Sequence, residues 1–375
     1  MNVLFIAPRF HTNQVGAIKA LSKAGHNVRF LAVIQGHIED YSDISPVLMP
    51  MTALSQRLQK IFDKRSDLLW PTLWGVPQLC WLRQYLTNFV PDIVIIRNPN
   101  QIPFLLSLLL IRLMRFQVIV YTQGAQHRLK RWPTRVVSIF FLDILKCAWM
   151  TPVLGNEEFP PFHQHTFYIP NVVDVCPLAD QRVYAPAGLI RLLSVGKFVP
   201  RKDHLLLLEA FAKLDKSRHV HLTIVGEVSN SIHESYLKQV ERKILELNLS
   251  SYVTLLTNVP FYKMTEIYLK NDAFVIPSRN ERMSVSLVEA MAHGLAVISD
   301  INNGAAGYIH NNVNGFVFHA GNIEDLIDKL DRITSSASIV EYMGRQSLVL
   351  ASRVHNPRNF PALLEETIKI RWQSL

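Results

Sequence analysis

Two successive series of short apolar runs, each alternating with helical stretches, limit what this chain can fold into. In the first half the runs are VLFIAP (3–8), VRFLAV (28–33), DIVIIRN (92–98), QVIVYT (117–122), CAWMTP (147–152) and TFYIPN (166–171). They are mostly continuous in apolar character, as strands covered on both faces are. Between the first two lies GAIKALSKAG, apolar at helical spacing and stopped by Gly25. Strand–helix–strand repetition of this kind builds a parallel sheet. The second series comprises RLLSVGKF (191–198), HLTIVG (221–226), YVTLLTNV (252–259), DAFVIPS (272–278), LAVISD (295–300) and GFVF (315–318), with helical HLLLLEAFAKL (204–214) and YLKQVERKILEL (236–247) between them. The fold class is therefore α/β with two such layers, and not a short-period repeat array. Ligands of open parallel sheets bind beyond the strand C-termini, so a cleft between the layers is the expected site.

The length agrees with this division: 375 residues is about twice what one hydrophobic core usually holds. The expected domains are 1–180, 181–350 and a C-terminal helical segment, 351–375, that returns to the first domain. Asp180 to Gly188, DQRVYAPAG, reads as a linker. The stretch from Met49 to Phe89, with Trp70, Trp74 and Trp81, reads as a helical excursion. With 49% apolar and 18% charged residues the chain carries no broad disorder signature.

A formal charge of +9 suits an anionic partner but does not choose among nucleic acid, membrane and phosphorylated small molecules. The segment from His127 to Arg135, HRLKRWPTR, suits an anionic membrane surface or lipid-linked acceptor, and equally a solvated loop. Nucleic acid is disfavoured, because no zinc finger, RNP pattern or repeated stacking surface is present. Cys80, Cys147 and Cys176 form no zinc-like or redox pair and fit a reducing, cytoplasmic compartment. MNVLFIAPRF reads as a first strand rather than a signal peptide. The most apolar run, Ile102 to Ile111, is too short to span a bilayer and reads as a core helix.

Two loops carry chemistry. Gly196 to Asp203, GKFVPRKD, follows a strand and precedes a helix, so Lys197 and Lys202 can meet one anionic ligand while Asp203 caps the helix. Such cations neutralise phosphate oxygens and a departing diphosphate. The same residues also make a solvated basic turn. The second loop is SRNERMSVSLVEAMAHG, from Ser278 to Gly294. Its helix start, near Ser284, Val285, Ser286 and Leu287, offers backbone N–H groups to phosphate or hydroxyl oxygens. Glu281 precedes that helix and Glu289 lies within it, a spacing that suggests different contacts rather than a shared proton or a metal pair. A carboxylate accepts naturally from neighbouring sugar hydroxyls. Taken alone this motif also reads as a helix cap with one solvent-facing Glu. Neither a P-loop nor a dinucleotide GxGxxG signature is present.

The order GKFVPRKDHLLLLEAF, LTIVGE, AFVIPSRNERMSVSLVEAMAHGLAVIS, YIHNNVNGFVF resembles the retaining glycosyltransferases of the group 1 (GT4-like) family, with the GT-B fold of two Rossmann-like domains facing each other across a deep cleft. The resemblance covers residues 190–320 well and residues 1–180 only in general order. It implies that Lys197 and Lys202 hold the donor diphosphate, that Glu289 binds the ribose, and that Glu281 contacts and orients the transferred sugar. It implies that backbone groups from Ser284 to Leu287 hold sugar and phosphate oxygens. No metal and no cofactor beyond a nucleotide-sugar co-substrate, UDP- or GDP-linked, is implied. Transfer would proceed on one face of the sugar, the leaving phosphate helping to deprotonate the acceptor.

The chain departs from the family pattern at several positions. Lys197 stands where Arg is usual, which keeps the charge and loses the planar fork. Met283 and Ser284 replace an aromatic residue and Gly, and the Glu usual near Gly307 is missing. In the first half, FHTNQVG replaces a glycine-rich loop, and Gln123 stands where His is usual, with His127 nearby. Gln123 can bind sugar hydroxyls but cannot act as a base. His11, Asn13, Asn98 and Asn100 are candidate acceptor contacts with turn or capping roles as the alternative. Asn302-Asn303-Gly304 reads as a tight turn near the donor.

The function implied is metal-independent, hexosyltransferase-type transfer to a glycan or lipid-linked acceptor, in bacterial surface polysaccharide synthesis such as lipopolysaccharide or capsule. The location implied is the cytoplasm, peripheral at the inner membrane face. The alternative is a catalytically weak or inactive GT-B-like accessory protein that binds nucleotide sugar. A phosphorylase or epimerase of similar fold is a third class, weakened by the lack of a pyridoxal lysine motif. Oligomeric state is not legible.

Overall fold

The computed structural model describes residues 1–10, 12–35, 44–62, 73–123, 136, 139–154, 163–215, 219–279 and 281–373. They form two units, Met1–Val172 with Pro357–Leu375, and Val173–Asn356.

The first unit is built on β1 (Asn2–Ala7), β2 (Asn27–Ala32), β3 (Val47–Leu48), β4 (Ile93–Arg97), β5 (Gln117–Tyr121), β6 (Ala148–Thr151) and β7 (Thr166–Tyr168). These lie in the order β3-β2-β1-β4-β5-β6-β7, with every described pair parallel. The order reverses between β1 and β4, as in a doubly wound sheet. Helices α1 (Thr12–Lys23), α2 (Ala53–Phe62), α3 (Leu79–Phe89) and α4 (Ile102–Leu113) belong to this unit. The continuous apolar strands are explained by two cores. One joins Phe5, Ile95 and Ile119 to Ile18 and Leu21 of α1; the other joins Leu4, Val94 and Val118 to Leu86 of α3 and Leu108 of α4. Alternate residues of the central strands thus enter opposite cores, while β2 begins exposed and both residues of the short β3 are exposed. The apolar run at Ile102 is therefore a core helix, and no described helix is long and apolar enough to cross a membrane.

The second unit holds β8 (Ile190–Val195), β9 (Val220–Gly226), β10 (Val253–Thr257), β11 (Ala273–Ile276), β12 (Ala296–Asp300) and β13 (Gly315–Phe318). Their order is β10-β9-β8-β11-β12-β13, again with all described pairs parallel. The reversal falls between β8 and β11. The helices are α5 (His204–Ala212), α6 (Ser231–Glu246), α7 (Met264–Leu269), α8 (Val285–Ala292), α9 (Ile323–Ile333) and α10 (Ala337–Val354). The last helix, α11 (Asn359–Ile368), belongs to the first unit, where Phe360, Leu364 and Ile368 enter the core of Phe5 and Ile18. Beyond it Arg371 is buried, donating to the carbonyls of Cys147 at 3.0 Å and Leu142 at 2.9 Å.

Asp180–Gly188 is not a linker. The chain passes between units at Val172, and the following segment packs into the second unit. Arg182 is buried and donates to the carbonyls of His293, at 2.6 Å, and Asn271. The Tyr184 hydroxyl donates to Gly294 O at 2.8 Å. Asp272, fully buried at the start of β11, accepts from Ala185 N at 3.2 Å and from Arg191 Nε at 2.9 Å and Nη2 at 2.7 Å. The turn-like composition concealed these partners because they lie 80 or more positions away in sequence.

Candidate functional site

The two chemistry-bearing loops leave β8 and β11, the strands that flank the reversal of the second sheet. A crevice beyond the carboxyl ends of strands at such a point is where open α/β sheets take ligands.

After β8 the chain forms a one-turn 3-10 helix, Pro200–Lys202, and Asp203 then takes a positive φ of 52° before α5 begins. Asp203 occupies the cap position, but its side chain makes no cap bond; it accepts instead from Nε of Arg279, on the second loop. Backbone ties the loops as well, Arg279 N donating to Arg201 O at 2.9 Å. Two glycines permit this packing. A Cβ on Gly196 would stand 3.0 Å from Cδ and Cε of Lys202, so the lysine stem lies flat over it. A Cβ on Gly226, the last residue of β9, would collide with the Phe198 ring and approach Gly196 O at 2.7 Å.

Lys202 Nζ and Arg201 Nη1 both donate to Oε2 of Glu281, at 2.6 Å and 2.8 Å. Lys202 is 11% exposed, Glu281 13% and Arg201 53%. Burial pushes the Glu281 carboxyl up, but Lys202 and then Arg201 outweigh it and hold the group below its ordinary value. Burial pulls the Lys202 ammonium down, with Glu281 as the opposing charge. Lys197 turns elsewhere, to Glu227 Oε2 at 2.9 Å.

Ser284 caps α8: its Oγ accepts from Leu287 N at 3.3 Å. Its own N–H donates at 3.3 Å to Oδ1 of Asn303, which also accepts from Ala305 N at 3.0 Å. Asn303 Nδ2 reaches Ser299 Oγ at 2.9 Å, and Gly304 N donates to Glu281 O at 3.0 Å. The Asn302–Gly304 turn is thus a staple for the Glu281 loop. The N–H groups of Ser284 and Leu287 are spent internally; among the described residues, those of Val285 and Ser286 are left to meet a ligand.

Glu289, one turn into α8, is half-buried and accepts from the fully buried Tyr268 hydroxyl at 2.8 Å. Burial raises its carboxyl above the ordinary value, with the Tyr268 hydrogen bond acting against the rise. The Tyr268 ring stacks on His293 at 4.8 Å between centroids, and His293 Nδ1 lies 2.7 Å from Glu289 O.

Gln123 lies in the first unit, just past β5. Its Oε1 accepts from Arg97 Nη2 at 2.9 Å, the Arg97 guanidinium sits 5.6 Å from the Tyr121 ring centroid, and Tyr121 donates to Asn171 Oδ1 at 3.1 Å. Gln14, Arg97, Tyr121 and Asn171 line one cavity at these strand ends, of about 440 Å³ including its open mouth. Asn98 turns the chain with φ 54°, and Asn100 is exposed. His11, the Asn13 side chain and the basic segment 127–135 lie outside the described residues.

The structure therefore gathers Lys202, Glu281, Ser284, Val285, Ser286, Leu287 and Glu289 beyond the carboxyl ends of the central strands β8 and β11, with Lys197 on the same loop as Lys202. Sequence reasoning missed Arg201, Tyr268, Arg279 and Arg97, and placed Asn303 in a turn near the donor without its bond to Ser284 N. Arg201 stood beside Lys202 in the basic loop and could have been named; the other three act through partners distant in sequence.

A family model for glycosyl transferases group 1 matches residues 180–347. The human GDP-Man:Man(3)GlcNAc(2)-PP-Dol alpha-1,2-mannosyltransferase is 28% identical over 175 residues, 45% of this chain and 34% of the relative's own length. The chain thus matches about a third of that relative. Among solved structures, a glycosyltransferase from Rickettsia africae superposes with a TM-score of 0.73 at 17% identity, covering 99% of this chain and 98% of the other. Anabaena HepE, solved with UDP, gives a TM-score of 0.74 at 14% identity with both chains fully covered. At such identities the likeness is one of fold, the two Rossmann-like domains of GT-B. It is residues 180–347 of this chain that match the family of glycosyl transferases group 1.

Proposed function

We propose that the protein transfers a sugar, with retention, from a nucleoside diphosphate sugar to a hydroxyl of a glycan or lipid-linked acceptor. The observation that carries this is the convergence of Lys202, Glu281, Glu289 and the start of α8 at the reversal of the second sheet. Lys202, with Lys197 beside it, neutralises the diphosphate. The N–H groups of Val285 and Ser286 donate to sugar or phosphate oxygens, adding the positive end of α8. Glu289 accepts from the ribose hydroxyls, its carboxylate aimed by Tyr268. Glu281 accepts from hydroxyls of the transferred sugar. Gln123 contacts the acceptor and moves no proton.

In the reaction, the bond from the anomeric carbon to the β-phosphate oxygen breaks and the electron pair leaves with the nucleoside diphosphate. The acceptor oxygen bonds to the same carbon on the same face and passes its proton to the departing phosphate. Side-chain cations and a helix terminus supply the positive charge this leaving group needs. Support for the donor class comes from the human relative, whose name specifies GDP-Man, and from the UDP-bound Anabaena structure. The same human name specifies a PP-Dol-linked glycan acceptor, which supports a lipid-linked acceptor here. A role in bacterial surface polysaccharide synthesis, at the cytoplasmic membrane face, belongs to the same proposal.

The test is incubation with a panel of UDP- and GDP-sugars and lipid-linked acceptors, read by mass spectrometry for the glycosylated product and by NMR for its anomeric configuration. Product with the donor's configuration, undiminished by EDTA, is expected. Inversion or an EDTA-abolished reaction would overturn the corresponding part. The Lys197–Glu227 pair favours one second reading, a donor-binding protein without turnover. Tight nucleotide-sugar binding with no product from any acceptor would select it.

A further inference from the structure

In this site one carboxylate oxygen holds two cations, and one of those cations is nearly enclosed. An ammonium so poorly solvated needs an anion beside it. We propose that Glu281 is the counter-anion of Arg201 and Lys202 while the site is without donor, that the donor diphosphate displaces it, and that Arg201 is thereby a further donor-binding residue. The inference rests on the nucleotide-sugar reading and adds to it a coupling between two halves of the donor.

The charges favour the exchange. Arg201, Lys202 and Glu281 together carry one net positive charge, and a diphosphate brings at least two negative charges with several acceptor oxygens. It can satisfy both cations by short, charge-assisted bonds. Oε2 of Glu281 is then released to accept from adjacent sugar hydroxyls, for which a carboxylate is well suited. Only side chains need rotate. The backbone of the Glu281 loop is fixed by Gly304 N on Glu281 O at 3.0 Å, and that of the Arg201 loop by Arg279 N on Arg201 O at 2.9 Å. Lys197 stands apart from this exchange, because Glu227 is already its anion. A free sugar meets a Glu281 whose Oε2 is already taken, whereas a diphosphate sugar makes that sugar contact available. The pair therefore discriminates against unactivated sugars and rewards the diphosphate.

The experiment is calorimetric titration of the full chain with UDP, GDP and inorganic pyrophosphate, for wild type, Glu281→Gln, Glu281→Asp and Glu281→Gln with Arg201→Gln. Glu281→Gln is expected to bind pyrophosphate and the preferred nucleoside diphosphate roughly tenfold tighter than wild type, the scale of one charge-assisted hydrogen bond no longer surrendered, while losing transfer. Glu281→Asp, shorter by one methylene, should fall between them and serves if the Gln variant does not fold. Adding Arg201→Gln to Glu281→Gln should return several-fold of that gain. Equal or weaker diphosphate binding by both Glu281 variants, or no effect of Arg201→Gln, overturns the inference and leaves the nucleotide-sugar reading standing. Failure of all three probes to bind wild type and variants overturns both.

Discussion

Tyr268 and Glu289, on helices α7 and α8, meet in a 2.8 Å hydrogen bond in which the phenol donates to the carboxylate. The phenol is buried and the carboxyl half-buried, so the bond fixes where Glu289 points. It also makes the charge on Glu289 a matter of pH. Burial raises the folded value above 4.5, and Tyr268 only partly opposes that. Folding thus favours the proton on Glu289.

The sign of the pH effect follows. Stability from the neutral carboxyl is complete below pH 4.5 and is lost as pH rises through the raised folded value. Glu289→Gln stays neutral throughout and still accepts from Tyr268. The stability of wild type relative to this variant should fall as pH increases above 4.5 and level off once Glu289 is charged. Urea midpoints of the two proteins across the pH range measure it; a flat difference would contradict the burial assigned to Glu289.

Gly196→Ala should weaken nucleoside diphosphate binding with little loss of stability. The added methyl meets only the flexible stem of Lys202, at 3.0 Å, so the lysine moves and the fold stays. Titration calorimetry beside a thermal melt separates the two. A large drop in melting temperature with unchanged affinity would contradict the close approach.

Asp272→Ala should cost about 3–5 kcal/mol of unfolding free energy, because it strips the anion from Arg191 and the buried Arg182. Equilibrium urea unfolding checks this, and a cost below about 1 kcal/mol would show that the 182–191 segment does not depend on that carboxylate.

Arg97→Met should raise the KM for acceptor several-fold by freeing the Gln123 side chain it holds at 2.9 Å. Affinity for UDP or GDP, assigned to the other unit, should not change. Steady-state kinetics with the acceptor varied, set beside nucleotide titration, distinguish these. Equal damage to both would contradict an acceptor-side role for Gln123.

Much of this was legible in the sequence because the central strands of both sheets are buried on both faces. Continuous runs such as DAFVIPS and LAVISD read as strands of a parallel sheet, which put the loops that follow them at the strand ends. The Ser284 cap was readable because a cap acts within three residues. What escaped depends on long-range partners. DQRVYAPAG has the composition of a linker, yet Arg182 and Tyr184 are buried by carbonyls more than 80 residues away. Asp203 stood where a cap belongs, but Arg279 takes its carboxylate. Lys202 and Glu281 were both singled out as donor contacts, while their pairing across 79 positions, which changes what each can do unliganded, is a property of the folded strand ends.

The central claim, that the donor lies at the reversal of the second sheet, is tested most directly by a crystal structure of the chain with UDP or GDP bound. The expected result is a diphosphate oxygen within about 3.2 Å of Lys202 Nζ and a ribose hydroxyl at the same range from a Glu289 carboxylate oxygen. A nucleotide bound elsewhere, or bound here with Glu289 still turned only to Tyr268, would contradict it.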